Sequence, residues 1–82
     1  MYALVYTEEF FKQINKLSTE VKKRIISTLE RIRLRPHYHV KKLVGCPYFR
    51  LRVGDYRIIL DIKDDKLVIL VLEVGHRRNI YK

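Results

Sequence analysis

The sequence predicts an α+β fold: an N-terminal strand, a two-helix hairpin, then an antiparallel β-meander with the helices packed on one sheet face. Three observations carry this. Apolar residues recur at helical spacing between Phe10 and Ile32. After Pro47 the pattern changes to strand-like runs with turn residues between them. Gly54-Asp55 separates two of those runs by a two-residue loop, the length of a tight hairpin. Helices and strands segregated along a chain belong to the α+β class. The 82 residues are expected to form one domain, 1–82.

Tyr2 to Tyr6 (YALVY) is aromatic and β-branched and reads as the first strand. Thr7 is placed to cap a helix, and Glu8 and Glu9 fall in its first turn, where carboxylates complement the helix dipole. Phe10, Ile14 and Leu17 form its apolar stripe. Ser18 or Thr19 starts a second helix with the stripe Val21, Ile25, Leu29 and Ile32. Arg35-Pro36 ends it, because the residue before proline is pushed out of the helical region. The stretch from Pro36 to Pro47 is the least regular, with room for one short edge strand at Val40 to Leu43. Three strands follow, Tyr48 to Val53, Tyr56 to Ile62 and Leu67 to Gly75, joined by Gly54-Asp55 and by Lys63 to Lys66. LVILVLEV is apolar on both faces, as a central strand requires.

Gly54-Asp55, with glycine first, suits a type II′ turn. That turn fixes the pairing: Val53 with Tyr56, Arg52 with Arg57, Leu51 with Ile58, Arg50 with Ile59, Phe49 with Leu60. Phe49, Leu51, Val53, Tyr56, Ile58 and Leu60 then share an apolar face. Arg50, Arg52 and Arg57 share the other. A slip of one residue would mix the two sets, so the alternation supports the register. Like charges directly opposed on a sheet destabilise it. An anion between them removes the conflict, and guanidinium groups bind phosphate with bidentate geometry. Asp61, on the same face, is a second way to neutralise the cluster, at one carboxylate against three cations.

Composition points the same way. Lys and Arg total 18 against 9 Asp and Glu, a formal charge of +9. So one-sided a balance on so small a domain implies an anionic partner: nucleic acid, an acidic protein or a charged membrane surface. The longest apolar run, Leu67 to Leu72, falls far short of the roughly 20 residues that span a bilayer. No signal-peptide pattern opens the chain, and the single cysteine, Cys46, cannot form an internal disulfide. A soluble, cytoplasmic protein is expected. His37 and His39 with Cys46 are too sparse for a metal site, and neither a metal nor another cofactor is expected. The last strand runs into Gly75-His76-Arg77-Arg78-Asn79-Ile80-Tyr81. Arginine to neutralise phosphate, with tyrosine or histidine to move a proton, are parts an RNA-cleaving site needs.

Three stretches, KKLVG (Lys41 to Gly45), YFRLRVGDYRIILDI (Tyr48 to Ile62) and VGHRRNIY (Val74 to Tyr81), resemble the RelE/ParE toxin superfamily of bacterial and archaeal toxin–antitoxin systems. The order of elements is similar too, so the resemblance covers essentially the whole chain. It is nearer the RelE branch, through the terminal Arg-Arg and Tyr81. The resemblance implies a type II toxin that inhibits translation as a ribosome-dependent mRNA endonuclease. A ribose 2′-OH attacks the adjacent phosphate in the A site, leaving a 2′,3′-cyclic phosphate and a 5′-hydroxyl without a metal. By position, the resemblance assigns catalysis to Arg57, Arg77 and Tyr81. Arg57 would stabilise the transition state, Arg77 would contact phosphate, and Tyr81 would act on the 2′-OH or stack on a base. Lys41, Lys42, Arg50, Arg52 and Arg78 would hold RNA and ribosome.

An arginine is a poor general base, so His76 stands beside Tyr81 as the acid/base candidate. Many relatives carry a C-terminal helix that has no counterpart before Lys82. The implied partners are the ribosome, its mRNA and an acidic RelB-like antitoxin, with a toxin–antitoxin heterotetramer as the assembly. A ParE-like toxin that inhibits DNA gyrase, or an inactive basic RNA-binding module, are the other two readings of the same residues.

Overall fold

The structure is a computed structural model and describes residues 1–76. Thr7 forms the N-terminal cap of helix α1 (Glu8–Ile14), its hydroxyl accepting from the Phe10 N–H. Ser18 does the same for α2 (Thr19–Arg31), accepting from the Val21 N–H. Helix α2 is shorter than the sequence suggests. It closes at Ile32 rather than running to Arg35, because Pro36 holds Arg35 at φ −141°, outside the helical region. Leu17 follows α1 as a loop residue and still packs on the core. Pro36–Tyr38 forms a single 3₁₀ turn within the stretch expected to be irregular.

Five strands follow the expected order: β1 (Ala3–Tyr6), β2 (Lys41–Lys42), β3 (Phe49–Val53), β4 (Tyr56–Lys63) and β5 (Val68–His76). They form one sheet in the order β1-β5-β4-β3-β2. The meander is antiparallel, but β1 adds to β5 in parallel, pairing Ala3 with Val68 and Tyr6 with Val71. The sheet is therefore mixed, with β5 inside it and flanked by β1 and β4.

The hairpin register is the one the sequence implies, from Val53 opposite Tyr56 to Phe49 opposite Leu60. Gly54 takes φ +58°, while Asp55 is not among the residues with positive φ. One positive φ at the first loop position is the signature of type II′ and excludes I′, which needs two. The guanidinium of Arg24, from α2, lies 3.5 Å from where a Cβ on Gly54 would stand.

The helices pack on one face. Phe10, Ile14, Ile25, Leu29 and Ile32 meet Leu51, Val53, Ile58, Leu60, Ile69, Val71 and Val74 in one buried cluster. Val71 and Val74, three apart, both join it. A β-bulge allows this: Ile59 pairs with Glu73 and Leu60 with Val71, leaving Leu72 as the extra residue. At the far end the β4–β5 connection closes with Leu67 at φ 53°, a left-handed conformation in a branched residue.

Candidate functional site

The sheet face away from the helices carries the basic cluster. Arg50 and Arg52 project from β3 and Arg57 from β4, with Arg52 and Arg57 directly opposed. Lys41 joins them, because it pairs with Arg50 across the β2–β3 ladder. Lys42 does not. It pairs with Phe49 on the helix side, and its Nζ lies 5.9 Å from that ring. The sequence grouped Lys41 and Lys42; the pleat separates them.

Arg57 has a different neighbour on each side. Arg52 stands across β3 and Gly75 across β5. Gly75, without a side chain, is thus the β5 residue in register with Arg57. Ile59, across from Arg50, is only 6% exposed although it lies on the same face and outside the main core cluster. Its neighbours there, Arg50, Arg57 and Asp61, have stems that can lie over it while their charged ends reach solvent.

The acids of this face do little to offset the arginines. Asp61 pairs with Lys63, Oδ2 to Nζ at 3.1 Å, and this pairing raises the lysine pKa. The carboxylate offered by the sequence as a neutraliser of the arginine cluster is thus engaged by a lysine. Glu73, opposite Ile59, is the other acid at this level of the sheet.

His76 does not share the arginine face. It pairs with Tyr56, on the helix side of β4, with the two rings edge to face at 5.6 Å. Arg77, Arg78 and Tyr81 lie outside the described residues. Among the described residues no three His, Cys, Asp or Glu side chains are grouped to hold a metal. His37 instead bonds Asp64 through Nε2 at 2.8 Å, and Tyr2 donates its hydroxyl to the same carboxylate at 2.7 Å. The tyrosine hydroxyl, then the imidazole, hold Asp64 below the usual carboxylate range, and the bond to Asp64 raises Tyr2. This trio sits at the opposite end of the sheet from the Gly54-Asp55 turn and staples β1 to the β4–β5 connection.

Gln13, which has no role in the sequence reading, and Thr7, read there only as a helix cap, both reach β5 near Gly75. From α1 and just before it, they bond the β5 backbone. Neither has a local sequence signal for that role, since each reaches a partner more than 60 positions away. Beside them is a cleft of about 400 Å³ between the end of α1 and the end of β5, lined in part by Gln13, Glu73, Gly75 and His76.

Opposed arginines on one sheet face form a cationic surface. The fold is that of a small basic α+β domain with its charge gathered on the sheet face away from the helices. A family model described as the ParE toxin of type II toxin–antitoxin systems, parDE, matches residues 4–81, and the chain belongs to that family. It is 30% identical over 79 residues to the mRNA interferase toxin RelE of Escherichia coli K12, covering 93% of this chain and 83% of that protein. The structure superposes on the toxin–antitoxin complex RelBE2 of Mycobacterium tuberculosis with a TM-score of 0.86 at 23% identity, over 93% of this chain and 98% of that one. For the intact RelBE complex of E. coli the TM-score is 0.79 at 26% identity, over 93% and 96% of the two chains.

Proposed function

We propose that this chain is a type II toxin that acts as a ribosome-dependent endoribonuclease, cutting mRNA in the A site by 2′-OH attack on the adjacent phosphate, without a metal ion. The observation that carries this is the position of Arg57, flanked by Arg52 on one side and the side-chain-free Gly75 on the other. A phosphate seated there meets a guanidinium whose charge can offset that developing on the phosphorane oxygens. Arg50, Arg52 and Lys41 hold the RNA backbone on the same face. Arg77 and Tyr81 follow within seven positions of Val74 and complete the proposed reacting set, while Arg78 joins the residues that hold RNA. His76, turned toward Tyr56, is the weaker acid/base candidate, which leaves Tyr81 to act at the 2′-OH.

The solved RelBE complexes support the partner proposed here, an acidic RelB-like antitoxin that covers the basic face. An acidic, partly disordered chain supplies negative charge to a face with an excess of cations. Charge complementarity speeds its association and sets its specificity. A toxin–antitoxin heterotetramer is the proposed assembly.

The deciding experiment is in vitro translation with primer extension on the mRNA. Codon-aligned cuts that disappear in Arg57→Ala support the reading. The matching family model is named for ParE, so DNA gyrase is the alternative target. Intact mRNA together with inhibited supercoiling would favour it.

A further inference from the structure

We infer that Gln13 is a positioning residue for cleavage: through the Val74 N–H it holds the end of β5 in the register that sets Gly75 against Arg57. The inference rests on the endonuclease reading above. Its basis is an incomplete edge. Strand β1 pairs with β5 only from Val68 to Val71, whereas β4 continues along β5 to His76. Past Val71 the outer edge of β5 has lost its strand partner, and the bulge at Leu72 lies at that point. Unpaired backbone groups at such a place cost free energy, and a bulged strand is free to slip.

Helix α1 takes over where β1 stops. The Thr7 N–H donates to the Val71 carbonyl at 3.1 Å, and the Thr7 hydroxyl donates to the Leu72 carbonyl at 2.8 Å. The Val74 N–H donates to the Gln13 side-chain carbonyl at 2.7 Å. The amide orientation is fixed by chemistry, since only the oxygen can accept from an N–H. The Gln13 amide nitrogen donates to Glu9 at 3.2 Å, which holds the side chain from its other end. Three side-chain or cap groups thus reproduce a strand edge. The Gln13 bond is the last of them before Gly75, a residue that by itself weakens a strand.

Loss of the Gln13 bond should therefore loosen Gly75 and His76 relative to Arg57 and Tyr56, while leaving the core residues untouched. Small displacements of reacting groups cost rate more than binding.

The test compares wild type, Gln13→Ala, Gln13→Glu and Glu9→Ala on programmed ribosomes. Gln13→Ala should lower kcat by on the order of ten-fold with KM within about two-fold. Its melting temperature should fall by several degrees, as an unpaired Val74 N–H implies, and its Val74 amide should exchange faster. Gln13→Glu keeps an acceptor oxygen at the same reach and should restore most of kcat. Glu9→Ala removes only the rear support and should stay near wild type. Wild-type kcat in Gln13→Ala, a loss confined to KM, or no rescue by Gln13→Glu overturns the inference. If wild type itself leaves mRNA intact, the endonuclease reading falls, and the inference with it; Val74 exchange then reports only whether Gln13 holds the strand.

Discussion

Arg57 pairs with Gly75 across β4 and β5, so the arginine at the centre of the basic face has a neighbour without a side chain. The relationship assigns the two residues different parts. On the proposed reading Arg57 brings charge, and Gly75 adds no side chain of its own beside it. Arg57→Ala should lower kcat for mRNA cleavage by about 10²–10³-fold, the usual cost of removing one preorganised donor to a developing anion. Arg57→Lys should recover part of it, since a point charge replaces a fork. Gly75→Val places a branched side chain in register with Arg57 and should cost activity. Single-turnover cleavage with a parallel thermal melt checks all three.

On the proposed reading, Arg50 and Arg52 grip the RNA backbone and take no part in the chemistry. Each alanine substitution should weaken RNA binding about equally for all sequences and lower the salt slope of log Kd by about 1. Lys42→Ala should leave that slope nearly unchanged, because Lys42 lies on the Phe49 side of the sheet. Titrations of an Arg57→Ala background at several salt concentrations separate the groups.

The Tyr2–Asp64–His37 trio predicts a stability profile with two limbs. The folded pKa of Asp64 is depressed, so its contribution is present above the unfolded value of about 3.9 and is lost as pH falls through the lower folded value. The folded pKa of Tyr2 is raised, so its contribution is present below about 10 and is lost as pH rises through the higher folded value. Asp64→Asn should flatten the acid limb and Tyr2→Phe the alkaline limb. Urea midpoints measured from pH 2 to 11 report both.

Leu67 holds a left-handed φ of 53° and is nearly half exposed. Such a conformation costs a branched residue about 1–2 kcal/mol. Leu67→Gly relieves it but loses more chain entropy on folding, by about 0.5–1 kcal/mol. A net gain of up to about 1 kcal/mol is expected, read as a higher urea midpoint at constant m-value. An unchanged or lower midpoint would show that the Leu67 side chain contributes more packing than its exposure suggests.

The hairpin was legible in the sequence because its information is local. Gly54-Asp55 fixes a loop of two residues, and everything from Phe49 to Leu60 follows by counting. The helix starts were legible for the same reason, since Thr7 and Ser18 act on N–H groups three positions on. What the sequence hides is what distant segments impose. The Leu72 bulge is held by Thr7, and the parallel placement of β1 depends on β5, 65 positions later. The facing of His76 and Lys42 depends on ladder registers that no short motif encodes. For this reason the arginine face could be assembled from sequence, while Gln13 could not be assigned to it.

The parallel pairing of β1 with β5 also bears on how the protein is made. Ala3 leaves the ribosome before Val68 and waits for a partner 65 positions later in the chain. Until then the N-terminal strand has no sheet to join, α1 has no β5 edge to hold, and Arg57 has no Gly75 beside it. Closing a loop of that length comes late and slowly in folding. A nascent chain that still lacks β5 carries the arginines without the arrangement that makes them effective. For a toxin with the proposed target, this topology delays the arginine arrangement until β5 has been synthesised.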